Sequence, residues 1–167
     1  MKDNKKKNPA KINRRSFVKK SALASSIFIV PRHVLGGPGF ISPSDRLNIA
    51  AIGAGGKGIS DIKNASVNGR ERVAALCDVD FSGSAAKSIE NFPKAKLYDD
   101  FRVMLDKKKN IDAVTISTPD HIHGPAAKWA MERGIHVYVQ KPMTHNIKEA
   151  RALTQMARTN KIVSQMG

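Results

Sequence analysis

The sequence contains one cysteine in 167 residues, one tryptophan and two tyrosines, and no apolar run long enough to span a bilayer. Cys77 alone excludes an internal disulfide framework and a cysteine-rich zinc site. Its apolar neighbours, VAALC, imply a buried packing role. A transmembrane helix needs about 20 consecutive apolar residues, so no stable membrane anchor is expected. Acidic residues are scarce as well, 14 against 29 basic, for a net charge of +15. Such a surplus suggests nucleic acid, but its distribution excludes that partner. Residues 1–36 hold ten basic residues and one acidic residue, which places +9 there and leaves +6 for the rest. That remainder has no basic patch interleaved with aromatics, and its one run, Lys107 to Lys109, suits a solvated helix end.

The basic N-terminal segment has an order of its own. Asn13-Arg14-Arg15-Ser16-Phe17-Val18-Lys19 follows the lysines Lys5 to Lys7 and precedes an apolar stretch from Ala22 to Val30. This is the layout of a twin-arginine signal peptide over residues 1–36. No A-x-A cleavage site and no lipobox cysteine accompany it, and Val34-Leu35-Gly36 is the nearest substitute. The expected partner is the twin-arginine export machinery, and the expected destination is periplasmic or otherwise extracytoplasmic. Residues 37–44, rich in Gly and Pro, read as a linker.

From Asp45 to Gly167 short apolar runs alternate with helix-length segments. Strands are expected at Leu47–Ile52, Arg72–Cys77, Ala95–Tyr98, Ala113–Ser117, His136–Gln140 and Ile162–Gln165. Helices are expected at Lys57–Val67, Ser82–Asn91, Asp100–Lys107, Pro125–Arg133 and Ile147–Asn160. This pattern predicts an α/β fold: a doubly wound, parallel, six-stranded Rossmann sheet with helices on both faces. Ligands of such sheets bind at the carboxyl ends of the strands.

Gly53, Gly55 and Gly58 stand at G-x-G-x-x-G spacing after the first strand, within GAGGKG, and Asp78 lies twenty residues past the last of them. The first glycine allows a sharp turn, the second a close approach to a pyrophosphate, and the third close packing of the helix. Gly56 completes the loop, and the helix N-terminus offers its amides to the phosphates. Asp78 is placed to accept the hydroxyls of an adenosine ribose. No arginine follows it among Val79, Asp80, Phe81 and Ser82, so NAD is favoured over NADP. Two further loops open on the same edge, Ser117-Thr118-Pro119-Asp120-His121-Ile122-His123 and Gln140-Lys141-Pro142. His121 and His123 alone do not make a metal site, because a third and fourth ligand are missing, and no metal is expected. A helix-start or cofactor-contact role suits His123. Lys141, at a strand end before a proline, is placed to exchange a proton with a substrate hydroxyl if its ammonium is partly desolvated.

The glycine loop, STPDHIH and VYVQKPMTHN together resemble the N-terminal domain of the Gfo/Idh/MocA oxidoreductases, and the likeness covers Asp45 to Gly167. The resemblance implies that Lys141 is the catalytic lysine of the family's E-K-P motif. It implies that Thr118 and Pro119, next to Ser117, line the cofactor cleft. Gln140 stands where the family has Glu, and its amide retains the capacity to bond a ribose hydroxyl. The resemblance further implies a sugar or polyol substrate and a homo-oligomer for the full-length form. The family's second, C-terminal α/β domain is missing from this chain, which is expected to hold NAD and to be inactive alone. Two alternatives stay open: an NAD-dependent glycosidase, against which the retained Lys141 argues, and a non-catalytic dinucleotide-binding module.

Overall fold

Strand and helix alternate from Asn48 to Met166 because each apolar run can be covered only by the amphipathic segment that follows it. The computed structural model describes residues 41–167 together with Gly37. The twin-arginine leader and part of the 37–44 linker lie outside the described residues. After a 3-10 turn at Pro43–Asp45 the order is β1 (Asn48–Ile52), α1 (Lys57–Ala65), β2 (Arg72–Cys77), α2 (Ala86–Asn91) and β3 (Lys96–Tyr98). It continues with α3 (Phe101–Lys107), β4 (Ala113–Ile116), α4 (Asp120–Met131), β5 (His136–Val139), α5 (Ile147–Thr159) and β6 (Ser164–Met166). Among the described residues no helix is long and apolar enough to cross a membrane.

The strands form one parallel sheet in the order β3-β2-β1-β4-β5-β6. The chain moves outward from β1 to β3 and returns to β4 on the other side, which creates a switch point between β1 and β4. Side chains alternate across the central strands. Ala50 and Ile52 face a core shared with Met104 and Leu105 of α3, Ala127 and Met131 of α4, and Leu153 of α5. Ala51 and Leu76 face the opposite core, which holds Ile62 of α1. Small alanines in β1 and β2 bring both helical layers close to the sheet.

Several boundaries differ from the sequence expectation, and three of the differences have a clear local reason. α1 ends at Ala65 rather than Val67, because Val67 and Asn68 adopt positive φ angles of 48° and 53°. α2 begins at Ala86 rather than Ser82: the Asp80 carboxylate accepts the N–H groups of Gly83 and Ser84 at 2.9 Å each and holds that stretch in a turn. α4 begins at Asp120, five residues before the expected Pro125. Pro119 is its N-cap and Asp120 lies in its first turn, where a carboxylate suits the helix dipole. Pro125 sits inside the helix on its exposed side. His121 and His123 are therefore helical, not part of an open loop.

Candidate dinucleotide site

The sheet ends in a row of backbone bonds that brings the loops together. Gly53 N–H donates to Cys77 O at 2.9 Å, Ser117 N–H to Ile52 O at 2.8 Å, and Gln140 N–H to Ile116 O at 2.9 Å. The glycine loop, the Ser117 loop and the Gln140 loop thus leave the same edge of the sheet. A cleft of about 750 Å³ opens there, at the switch point.

Within the cleft the glycine loop is held by bonds from the chain itself. Asp78 Oδ2 accepts the N–H groups of Ala54 at 2.8 Å and Gly55 at 3.0 Å. Buried Ser88 donates its hydroxyl to Ala54 O at 2.6 Å, which ties α2 to the loop. A Cβ at Gly53 would lie 2.6 Å from Ser117 O, and one at Gly55 would lie 2.5 Å from Ser84 Oγ. The absent side chain of Gly55 therefore makes room for the Ser84 turn. The open side of the loop is at Gly56, which has a φ of +50° and nothing within 4 Å of a Cβ position. No side chain caps α1 at Gly56, so the N-terminus of that helix is left for an anion. A Cβ at Gly58 would collide with Gly53 O, which accounts for the third glycine.

The end of the cleft beyond Asp78 is acidic. Asp78, Asp80, Asp99 and Asp100 line it, with Val79 91% exposed beside Phe101. Hydrogen bonds from the Ser84 amide, more than those from Gly83 and Ser82, hold the Asp80 carboxyl below its ordinary range against the opposing effect of burial. One cation, Arg102, lines this end, and it comes from the first turn of α3 rather than from the residues after Asp78. Its guanidinium grips Asp100, with Nη2 at 2.7 Å from Oδ2 and Nε at 3.0 Å from Oδ1. That bond lowers the Asp100 carboxyl and leaves Arg102 already paired. An acidic end with a neutralised arginine suits the two free hydroxyls of an NAD ribose and opposes a 2′-phosphate.

On the other side of the switch point Ser117, Thr118, Pro119 and Ile122 line the cleft. Thr118 Oγ1 is buried and has no hydrogen-bond partner among the described residues. His123 is 1% exposed and does not line the cleft; its ring nitrogens lie 2.7 Å from the carbonyl oxygens of Thr118 and Pro142. It fastens the loop after β4 to the loop after β5. His121 is exposed, so the two imidazoles leave different sides of α4 and do not converge on one ion. Among the described residues no group of three or more His, Cys, Asp and Glu could hold a metal. Gln140 is half-buried, and its amide donates to Asp61 Oδ2 at 3.1 Å. Lys141 is exposed, outside the cleft lining, and joined to Pro142 by a cis peptide bond.

The structure therefore brings Gly53, Gly55, Gly56, Asp78, Ser117, Thr118 and Pro119 into one cleft. It sets Gly58, His123, Gln140 and Lys141 behind or beside that cleft. Sequence reasoning missed the Asp99-Asp100-Phe101-Arg102 turn and Asp61. The turn was accessible through topology, because β3 pairs with β2 and its carboxyl end must adjoin Asp78. Asp61 carried no signal, since an aspartate in an amphipathic helix reads as solvated.

An open anion cradle at Gly56 and a carboxylate at the end of β2, both at the switch point of a parallel sheet, are what a dinucleotide requires, and they define this chain as a dinucleotide-binding Rossmann domain. Residues 47–167 match the sequence model of the family described as "Oxidoreductase family, NAD-binding Rossmann fold". The chain belongs to that Gfo/Idh/MocA family, and its cofactor is NAD. It is 29% identical over 175 residues to a glycosyl hydrolase family 109 protein of Shewanella pealeana, covering 90% of this chain and 38% of that protein. It is 32% identical over 114 residues to inositol 2-dehydrogenase of an Arthrobacter species, covering 67% of this chain and 33% of that enzyme. The crystal structure of myo-inositol 2-dehydrogenase from Lactobacillus plantarum superposes with a TM-score of 0.64 at 25% identity, over 73% of this chain and 36% of that one. The chain thus spans well under half the length of these curated relatives, 38% of one and 33% of the other.

Proposed function

We propose that this chain is the cofactor-binding half of an exported NAD-dependent oxidoreductase that acts on a sugar or polyol. The observation that carries the reading is the Asp78 carboxylate, held against the glycine-loop amides at the end of an acidic cleft. Bound NAD supplies a two-electron hydride acceptor. The chain's own residues would bind and orient it: Gly56 and the start of α1 would hold the pyrophosphate and Asp78 the adenosine ribose, while Thr118 lines the cleft beyond the switch point. Lys141 lies exposed on the loop after β5, and its exchange of a proton with a substrate hydroxyl requires that further polypeptide or substrate partly desolvate its ammonium. The basic leader, twin arginines included, supports passage through the twin-arginine machinery to an extracytoplasmic site.

A second reading is favoured by one comparison, since the glycosyl hydrolase family 109 protein covers 90% of the chain. In a glycosidase of that kind the nucleotide would be regenerated within each turnover. Incubating the full coding sequence with sugars, polyols and aryl glycosides separates the two. NADH that accumulates with a sugar or polyol supports the oxidoreductase; release of the aryl group with no net NADH supports the glycosidase and overturns the first reading.

A further inference from the structure

Asp61 is a buried carboxylate with no part in the cleft described above. Its side chain is 1% exposed, in the second turn of α1. Oδ1 accepts from Lys57 Nζ at 2.7 Å, and Oδ2 accepts from Ser117 Oγ at 2.7 Å and Gln140 Nε2 at 3.1 Å. The partners come from the helix of the glycine loop, the end of β4 and the end of β5. One carboxylate thus joins the three segments whose ends border the cofactor. A buried charge is tolerated only when donors compensate it, and these three do so.

The same geometry accounts for an amide rather than a carboxylate at position 140. Gln140 Nε2 faces Asp61, with Tyr138 Oη at 3.5 Å, while Gln140 Oε1 lies 3.4 Å from the Lys141 amide N–H. The side chain before Lys141 is therefore held at both ends. A glutamate there would set a second carboxylate about 3 Å from the first, with Lys57 as the one cation on the pair. Lys57 already hydrogen-bonds Asp61, which raises its pKa.

We propose that Asp61 is a positioning residue for the Lys141 loop and that it requires an amide donor at residue 140. The first half rests on the proposed role of Lys141; the second stands on the Asp61–Gln140 contact alone. The test uses the full chain carrying Gln140→Glu, Asp61→Asn or both, with thermal midpoint and NAD affinity measured at pH 8 and pH 5. Gln140→Glu is expected to lower the midpoint and weaken NAD binding by about tenfold or more at pH 8, because two carboxylates so close resist joint ionisation. At pH 5 the pair takes up a shared proton, and the defect shrinks. The double variant exchanges carboxylate and amide, and should return to within about threefold of wild-type affinity at pH 8, with no added pH dependence. A Gln140→Glu chain that melts and binds as wild type at pH 8, or a defect that Asp61→Asn leaves in place, overturns the proposal. The midpoints need no cofactor, so a wild-type chain that bound no NAD would contradict the proposed function while the midpoints still decided the fate of the Asp61 pair.

Discussion

Arg102 stands where a 2′-phosphate could be recognised, and Asp100 occupies it. Asp100 also caps α3 by accepting the Arg102 N–H at 2.8 Å, so the informative change is Asp100→Asn, which keeps a capping oxygen and removes the charge. Freed of its partner, Arg102 should improve NADP binding relative to NAD by about tenfold, the worth of one charge-assisted contact. Fluorescence titration with NADH and NADPH reads the ratio, and an unchanged ratio would place Arg102 away from the ribose. Cys77, at the end of β2, is 4% exposed; burial first, and then the charges of Asp100, Asp78 and Asp99, push its thiol up to about 12. Native protein at pH 8 should therefore resist iodoacetamide and react fully once unfolded. The unfolded chain loses this proton near 9.0 and the folded chain does not, so stability is full below that pH and falls as pH rises toward 12. The loss is about 1.4 kcal/mol per pH unit, and urea midpoints from pH 8 to pH 11 should show that excess slope against a Cys77→Ala control.

Between elements, the most consequential single contact is His123 on α4. Its ring joins Thr118 O to Pro142 O, and so couples the loops after β4 and β5. A neutral imidazole donates to one carbonyl and an imidazolium to both, whereas an alanine donates to neither. His123→Ala should cost about 2–4 kcal/mol, from the lost bridge between the two loops and a cavity where the buried ring now packs. Urea unfolding followed by circular dichroism measures it; a loss below about 1 kcal/mol would show that the loops are held by other means. The glycine loop is likewise fastened from two elements, by Asp78 at the end of β2 and Ser88 of α2.

Over the whole molecule, what could be read from the sequence was what depends on period and order. Alternation of apolar runs with helical segments specifies the parallel sheet and its switch point, and those place Gly53, Asp78, Ser117 and Thr118 on one edge. What could not be read depends on contacts across the sheet. Arg102 meets the adenosine end only because β3 lies beside β2, and Asp61 is buried only because Ser117 and Gln140 converge on it from two other strands. Pro125 suggested a helix start, but the cap at Pro119 and the acid at Asp120 begin α4 earlier and take His123 into its buried face. The central claim is that this cleft holds NAD through Asp78, and calorimetric titration of the full chain tests it most directly. Saturable binding of one NAD per chain, weaker NADP, and loss of NAD binding in Asp78→Ala are expected. Absence of saturable binding, a preference for NADP, or undiminished affinity in Asp78→Ala would contradict it.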